Sequence, residues 1–252
     1  MIRTPLAAAA LLFAVILPVV VALRIAPPPE PTPGAEDLPD FTAIAEPRER
    51  RDRFVAYMEP VVDAAQAEVR EQRQRLATIA QRWRDDGLLL RRDERWLAQA
   101  ARRYRVDGDG DDIDGLLERL ERRIDTVPRG LAVAQAGIES GWGQSRFARE
   151  GNNLFGEWCF EPGCGMVPAQ RPDSAQHEVR TFATVQAAMR SYLNNLNSHR
   201  AYGELRDLRA EARAQGREPG AEELAAGLRD YSQRGEAYVH EVRVVIRGLQ
   251  SD

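Results

Sequence analysis

Glu139 is the residue whose surroundings most favour chemistry, because it lies where a helix is predicted to end. The predicted helix begins near Pro128 and ends at Gly141 and Gly143, residue types that favour those two positions. At the C-terminal end of a helix, beside apolar side chains, a carboxylate is poorly hydrated and is opposed by the helix dipole. Both effects raise the pKa of the carboxyl group, which suits a general acid at neutral pH. The alternative is a solvated glutamate at a frayed helix end, but the flanking Gly-Trp-Gly is costly to order and favours a functional site.

The residues after Glu139 predict a helix, turn, helix and strand unit. Ser145 can cap a short helix that ends near Gly151. The run Asn152-Asn153-Leu-Phe-Gly156 then leads into aromatic sequence that favours a β-strand. The glutamate is therefore expected to face a small β-lobe.

Four segments of the chain form a recognisable set of motifs. They are Glu139-Ser-Gly-Trp-Gly, Ser145-Arg-Phe-Ala-Arg-Glu-Gly-Asn-Asn-Leu-Phe-Gly, Trp158-Cys-Phe and Tyr231-Ser-Gln-Arg-Gly-Glu-Ala-Tyr-Val. Together they resemble the glucosaminidase family of bacterial cell-wall hydrolases, and within it the Bax-type branch. The resemblance runs from about residue 54 to 246, and the joint occurrence of the motifs is far more specific than any one of them. It implies a lysozyme-like α+β fold, mainly α with a small β-lobe, in which the catalytic glutamate ends a helix at the floor of a groove.

A second group is expected to assist Glu139, since glycoside hydrolysis generally needs an acid and a group that activates water or stabilises the transition state. Glu161 and Glu178 of the predicted β-lobe are candidates, and the family pattern of a lobe carboxylate facing the helix favours Glu178. Either one is otherwise a salt-bridged surface glutamate. Where no carboxylate is close, the N-acetyl group of the substrate can take this role. The spacing of Tyr231 alone is typical of a core residue, whereas the resemblance implies an active-site tyrosine whose hydroxyl orients the N-acetyl group or the water.

Five further residues are predicted to contact the sugar rings. Trp142 and Trp158 are the favoured stacking residues and Phe155 is a third candidate, although aromatic side chains of this size also fill cores. The amides of Asn152 and Asn153 are expected to satisfy turn backbone, with contact to substrate as a secondary role.

Cys159 and Cys164 enclose Phe-Glu-Pro-Gly, which is typical of a tight turn. Export to an oxidising compartment would allow a disulfide between them, at the tip of a small β-hairpin beside the active-site helix. Zinc is the weaker alternative, because His177, His199 and His240 show no ligand-like spacing to the cysteines. The sequence predicts no cofactor and no metal.

The first 25 residues are predicted to be a signal peptide or a membrane anchor. Leu6 to Leu23 form an apolar run broken only by Pro18, preceded by Arg3 and followed by Arg24. Either interpretation places the rest of the chain in the periplasm or cell envelope, with the inner membrane as a partner if the segment is not cleaved. A proline-rich, acidic linker is predicted at 26–47.

The domain itself is predicted to span 48–252, with an N-terminal helical extension over about 48–110. Pro60 is expected to restart a helix, which then runs to about Arg84 with an apolar face packed on its own domain. Asp93 is expected to cap a further helix. Later helices are predicted near 113–124, 184–196, 202–215, 221–228 and 236–249.

An acidic run separates two of these helices. Asp107, Asp109, Asp111 and Glu118 match the ligand positions of an EF-hand loop, but Asp112 stands where that loop needs glycine. The run is therefore predicted to be an acidic turn rather than a calcium site.

Composition excludes one further class of function. The chain has 252 residues, is 43% hydrophobic and carries a formal net charge of -4, and all 35 basic residues are arginine. The length and hydrophobic content are enough for one hydrophobic core. The absence of a basic excess argues against nucleic-acid binding.

The sequence thus predicts an exported endo-β-N-acetylglucosaminidase that cuts β-1,4 bonds in the glycan strands of peptidoglycan. The alternatives are a lytic transglycosylase, whose Gly-Leu-Met-Gln type signature is missing, and a non-catalytic glycan-binding or scaffold protein. An amidase is disfavoured because no credible zinc site or nucleophilic cysteine is present.

Overall fold

Helices and one small sheet make up the part of the chain that the computed structural model describes, residues 38–107, 112–169, 171 and 175–250. The helices are α1 (Pro47–Asp86), α2 (Arg91–Arg103), α3 (Ile113–Arg123), α4 (Arg129–Ser140), α5 (Arg146–Gly151), α6 (Val185–Ser198), α7 (Gly203–Ala214), α8 (Ala221–Ala225) and α9 (Glu236–Gln250). Short 3₁₀ helices lie at Phe41–Ala43, Arg200–Tyr202 and Ala226–Tyr231. The predicted class, mainly α with a small β-lobe, is confirmed.

Helix α1 runs straight through Pro60, so the predicted restart at this proline is wrong. Proline removes one backbone donor and leaves the carbonyl of Ala56 without its helical partner. Both residues are exposed, so water can satisfy that carbonyl without a break. On either side of the proline the predicted apolar face is buried, with Met58 and Val61 fully inaccessible, and it packs on α4 and α6.

Helix α4 lies at the centre of the core. Its residues Leu131 to Gly137 are buried, and it packs against α1, α8 and α9. Pro128 occupies the N-cap, and Gly141 ends the helix in the left-handed conformation at φ 59°. These are the boundaries that the sequence predicts, and they place Glu139 in the last turn.

The β-lobe is a three-stranded antiparallel sheet of order β1-β3-β2. Its strands are β1 (Trp158–Cys159), β2 (Gly165–Met166) and β3 (Glu178–Arg180). Strands β1 and β2 each pair with β3, with Cys159 opposite Glu178 and Gly165 opposite Arg180. The predicted hairpin between the cysteines is therefore wrong, because the two flanking strands are separated by the third.

Cys159 and Cys164 form the predicted disulfide, with an S–S distance of 1.98 Å and a Cα–Cα distance of 6.2 Å. The bond links β1 to the loop before β2, so it joins the two outer strands that do not hydrogen-bond to each other. It thereby holds the outer edge of the β-lobe together.

Two predicted boundaries differ from the structure. Asp93 does not cap α2, which begins at Arg91; its buried carboxylate instead accepts a hydrogen bond from Arg82 at 2.6 Å. The range predicted as linker, 26–47, includes Phe41, which is 2% exposed and packs edge-on against Phe54. The last part of that range therefore packs on the domain, because an apolar ring interrupts the polar spacer.

The predicted signal or anchor segment, residues 6–23, lies outside the described residues, as do positions 108–111 of the acidic run. On the described side of that run, Asp112 caps α3 by accepting a hydrogen bond from the Gly115 amide at 2.8 Å. Within the ranges that the structure covers, no helix combines the length and apolar composition needed to cross a bilayer.

Candidate active site

A cavity of about 670 Å³ opens at the C-terminal end of α4. Four residues predicted for the site line it: Glu139, Phe155, Trp158 and Tyr231. The other lining residues were not predicted from the sequence; they are Arg105, Gly156, Glu157, Arg180, Ser191, Tyr192, Asn194, Asn195 and Tyr202. The cavity therefore brings together the end of α4, the loop after α5, the β-lobe and α6.

Burial raises the pKa of the half-buried Glu139 carboxyl group above its ordinary value of 4.5. A hydrogen bond from Tyr238 and the charge of Arg234 oppose this rise, while Glu241 adds to it. Arg234 and Glu241 form an ion pair with each other at 2.6 Å, so their opposing effects come from one pair of side chains. The net result is a carboxyl group that holds its proton to higher pH than a solvated glutamate does.

A series of buried hydrogen bonds between side chains of α6, α4 and α9 leads to Glu139. The Tyr192 hydroxyl donates to Gln135 Oε1 at 2.7 Å, and Gln135 Nε2 donates to the Tyr238 hydroxyl at 3.0 Å. The Tyr238 hydroxyl in turn bonds the Glu139 carboxylate. Because Gln135 and Tyr238 each accept one hydrogen bond and donate the next, these bonds orient one carboxylate oxygen from beneath the cavity floor.

The roles of Gln135 and Tyr238 were not predicted, although the sequence carries a signal for Gln135. Gln135 lies one helical turn before Glu139, on a face that is otherwise apolar, and it is completely buried. A buried amide requires polar partners. Tyr238 could not be identified in the same way, because its spacing in α9 fits core packing equally well.

Tyr231 lies in the cavity wall. Its hydroxyl donates to the carbonyl oxygen of Phe155 at 3.0 Å, and its ring stacks on that of Tyr238 at a centroid distance of 5.3 Å. The hydroxyl proton is thus used by the protein, and the oxygen keeps lone pairs that can accept a hydrogen bond. Its predicted role with the N-acetyl group or the water stays a prediction.

Two aromatic side chains of the cavity differ in exposure. Phe155 is buried and stacks on Tyr192 at a centroid distance of 4.0 Å, so its ring belongs mainly to the core. Trp158 is 55% exposed and stacks on His177 at 4.1 Å. An exposed indole held in place by a second ring is a good platform for a sugar face.

Glu178 does not line the cavity, so the structure argues against its predicted catalytic role. The two oxygens of this carboxylate accept hydrogen bonds from the amides of Gly163 and Gly165, at 3.1 and 2.8 Å. These bonds lower its pKa and order the loop between the outer strands. Glu161, the other lobe candidate, is exposed and also lies outside the cavity lining.

Glu157 is the lobe carboxyl group that lines the cavity. Its Oε2 accepts a hydrogen bond from the Ser191 hydroxyl at 2.7 Å, and its buried Oε1 makes no hydrogen bond within the described structure. Burial raises its pKa, against the effects of Ser191 and Arg180. The sequence offered no sign of this role, because Glu157 follows a glycine in a loop whose path is set by tertiary contacts.

Three further candidates for sugar contacts make structural contacts, which for Asn152 and Asn153 was the primary expectation. Trp142 packs edge-on against Phe54 at 5.8 Å and folds over Gly137, where a Cβ would lie 2.6 Å from the indole. Asn152 ends α5 in the left-handed conformation and donates to the Phe182 carbonyl. Asn153 is 2% exposed and donates to the carbonyls of residues 157 and 180. None of the three lines the cavity.

The donor atoms of Cys159, Cys164 and Glu178 lie within 4.8 Å of one another. Metal ligation by cysteine requires the thiolate, and the disulfide removes both thiolates. This cluster therefore holds the lobe together rather than forming a metal site in the bridged protein.

A half-buried carboxyl group with a raised pKa, at the floor of an open cavity, suits general acid catalysis of the kind that glycosidases use. The model of the glucosaminidase family, described as mannosyl-glycoprotein endo-beta-N-acetylglucosaminidase, matches residues 116–250. The chain therefore belongs to the glucosaminidase family. Over 204 residues it is 29% identical to Protein bax of Escherichia coli (strain K12). The aligned region covers 81% of this chain and 71% of that protein. The chain is thus a Bax-type member of the family, and no solved structure matches it significantly.

Proposed function

We propose that this protein is an exported endo-β-N-acetylglucosaminidase that hydrolyses β-1,4 bonds in the glycan strands of peptidoglycan. The observation that carries the proposal is Glu139, a carboxyl group whose pKa is raised by burial and which faces a cavity of about 670 Å³. A protonated carboxyl group at that position can donate its proton to the glycosidic oxygen as the bond to C1 breaks. Membership of the glucosaminidase family supports a glycan as the substrate.

A series of buried hydrogen bonds below the cavity floor orients the Glu139 carboxyl group. Tyr238 bonds the Glu139 carboxylate, and Gln135 and Tyr192 hold Tyr238. Trp158 supports one sugar face from the β-lobe side of the cavity. Fixed groups of this kind stabilise the transition state without reorganising when charge develops.

Glu157 is the group that we propose for the activation of water, in place of Glu178. It lines the cavity with Glu139, and the Ser191 hydroxyl holds its carboxyl group in place by donating to Oε2 at 2.7 Å. In this reaction the water oxygen bonds to C1, Glu157 accepts the water proton, and Glu139 gives its proton to the leaving oxygen. Burial brings the pKa of Glu157 closer to neutral pH, where a general base is most effective.

Export is a separate part of the proposal. The apolar run at 6–23, flanked by Arg3 and Arg24, supports a periplasmic or cell-envelope location, with attachment to the inner membrane if the run is not cleaved. Cell fractionation with N-terminal sequencing tests both points. Recovery of the intact chain from the cytoplasm would contradict export.

Mass spectrometry of digested peptidoglycan tests the reaction itself. The proposal predicts fragments with reducing N-acetylglucosamine ends, and their absence from a Glu139→Gln digest. Fragments with anhydro ends would identify a lytic transglycosylase instead. If folded wild-type protein releases no peptidoglycan fragments, the protein is a non-catalytic glycan-binding protein instead.

A further inference from the structure

Two arginines line the cavity that contains Glu139. Arg105 comes from the turn after α2, and Arg180 from β3. Neither guanidinium forms an ion pair with an acidic side chain that the structure describes. Arginines elsewhere in the domain commonly do, as in the pairs Arg190–Glu68 and Arg213–Asp125. Two such cations in one cavity offer donors to a ligand.

The position of Arg105 is held by the surrounding backbone. This residue adopts φ 52°, a left-handed conformation that is uncommon for a side chain other than glycine, asparagine or aspartate. The Val106 amide donates to Ala101 at 2.9 Å, and Arg123 donates to the Tyr104 carbonyl at 2.8 Å, so both neighbours of Arg105 are fixed. The backbone thus directs a long basic side chain to the cavity in a conformation that costs free energy.

Arg180 approaches the same cavity from the β-lobe. Its guanidinium lies 6.0 Å from the centre of the Phe182 ring, and its charge acts on Glu157. The strand itself is fixed, because the Arg180 amide donates to the Glu157 carbonyl and the Arg180 carbonyl accepts from Asn153. A cation therefore stands at a defined place beside the proposed general base.

The electrostatics of the cavity make these cations significant. Glu157 acts as the proposed base in its charged form, and the whole chain has a formal net charge of -4, so an anionic ligand would otherwise be repelled. Arg105 and Arg180 are the basic side chains among the lining residues, and they supply the positive charge that such a ligand needs.

We propose that Arg105 and Arg180 form a subsite for a carboxylate attached to the glycan at its muramic acid residues. This inference rests on the proposed function. Of the two sugars in peptidoglycan, only muramic acid carries a carboxylate, either on its lactyl group or on the peptide linked to that group. The guanidinium fork binds carboxylates through two parallel hydrogen bonds, which makes arginine the suitable side chain. The subsite would favour peptidoglycan over neutral polymers of N-acetylglucosamine.

Steady-state kinetics on three substrates test the subsite. They are peptide-free glycan strands with free lactyl carboxylates, the same strands after those carboxylates are reduced to alcohols, and a neutral chitooligosaccharide. The variants are Arg105→Gln, Arg180→Gln and Arg95→Gln, the last a control for an exposed arginine of α2 outside the cavity lining. For the two cavity variants we expect kcat/KM to fall by about tenfold or more on the carboxylate strands, mainly through KM. The neutral substrates should show little change for Arg105→Gln and for the control. Arg180→Gln should lower kcat/KM less on them than on the carboxylate strands, since the Arg180 charge also acts on Glu157.

Intact sacculi distinguish the two sources of carboxylate. If the cavity variants lose kcat/KM on peptide-free strands but not on the reduced strands, the ligand is the lactyl carboxylate. If they lose activity on sacculi alone, the ligand is a carboxylate of the peptide. Equal losses on the neutral and the anionic substrates, or no loss on any substrate, would overturn the subsite.

Failure of the subsite is distinguishable from failure of the proposed function. If the wild type cleaves no substrate, the function fails, and calorimetric binding of the carboxylate strands to the Glu139→Gln protein still tests the subsite. Adding Arg105→Gln or Arg180→Gln to that protein should weaken binding to carboxylate strands and leave binding to reduced strands unchanged. Equal binding by all these proteins would contradict the inference.

Discussion

The Tyr238 hydroxyl bonds the Glu139 carboxylate from a helix about a hundred positions further along the chain. This hydrogen bond lowers the pKa of Glu139 and opposes the rise caused by burial. The same hydroxyl accepts from Gln135, so the acid is oriented by its own helix through a tyrosine of α9. Several consequences of this and the neighbouring contacts can be measured.

Tyr238→Phe removes the hydrogen bond to the acid and keeps the ring that packs in the core. The pKa of Glu139 should rise further, so the alkaline limb of the pH–rate profile should move to higher pH. The maximal rate should fall by roughly tenfold, because one oriented donor is lost. Tyr192→Phe is the matched control, since it removes a hydroxyl three hydrogen bonds away from Glu139 and should move the limb less. An alkaline limb that stays in place in Tyr238→Phe would show that the bond does not reach the catalytic acid.

Glu139→Gln removes the acid and keeps its shape. Activity should fall by roughly 10² to 10⁴ fold, the usual contribution of general acid catalysis. The free energy of unfolding should rise although activity falls. Between pH 4.5 and the raised native pKa of Glu139, the native protein binds more protons than the unfolded chain. Wild-type stability therefore falls as pH rises through that window. The variant lacks this loss and should be more stable than the wild type at pH 7. Denaturant unfolding at pH 4 and 7, with circular dichroism of the fold, measures the difference, and a less stable variant at pH 7 would contradict it.

Glu157→Gln and Glu178→Gln form a matched pair in the β-lobe, since only Glu157 lines the cavity. The first should lower kcat strongly with little change in melting temperature. The second should keep most of the activity and lower the melting temperature, because it weakens the bonds to the amides of Gly163 and Gly165. Kinetics and thermal unfolding of both variants separate the roles. Full activity of Glu157→Gln would leave the N-acetyl group of the substrate as the nucleophile, and the sensitivity of the wild type to a thiazoline analogue would then test that path.

Gly156→Ala and Gly163→Ala test how closely the loop approaches the acid. Both glycines adopt the left-handed conformation, at φ 65° and 81°, so alanine should destabilise either variant by about 1 kcal/mol. A Cβ on residue 156 would lie 4.0 Å from Glu139 Oε2, whereas one on residue 163 would meet nothing within 4 Å. Only Gly156→Ala should therefore reduce activity beyond its effect on stability. Equal activities, measured well below both melting temperatures, would mean that this wall of the cavity does not contact the substrate.

The disulfide between Cys159 and Cys164 closes a short loop and should contribute about 2 kcal/mol to stability. Intact mass of protein from the periplasm should show the loss of two hydrogens and no thiol that reacts with an alkylating agent. The double substitution by serine should lower the melting temperature and weaken binding at the adjacent Trp158. Two free thiols in oxidised protein, or stoichiometric zinc, would contradict the assignment.

The sequence by itself determined the local features of the site. Pro128 and Gly141 set the start and end of α4, and the helical spacing of the apolar residues between them predicts the helix itself. Capping and helical periodicity both depend on residues only a few positions apart. Glu139 could therefore be placed in a last helical turn before any tertiary contact was known. The bridge between Cys159 and Cys164 was predictable for the same reason, since five positions separate the two residues.

The tertiary structure alone decided which side chains meet Glu139. Glu178 and Glu157 lie in the same lobe, and β-strand pairing turns the first toward the amides of Gly163 and Gly165 while the loop after α5 brings the second to the cavity. Tyr238 reaches the acid only because α9 packs on α4. Such contacts depend on the packing of distant elements, and single residues carry no local signal for it.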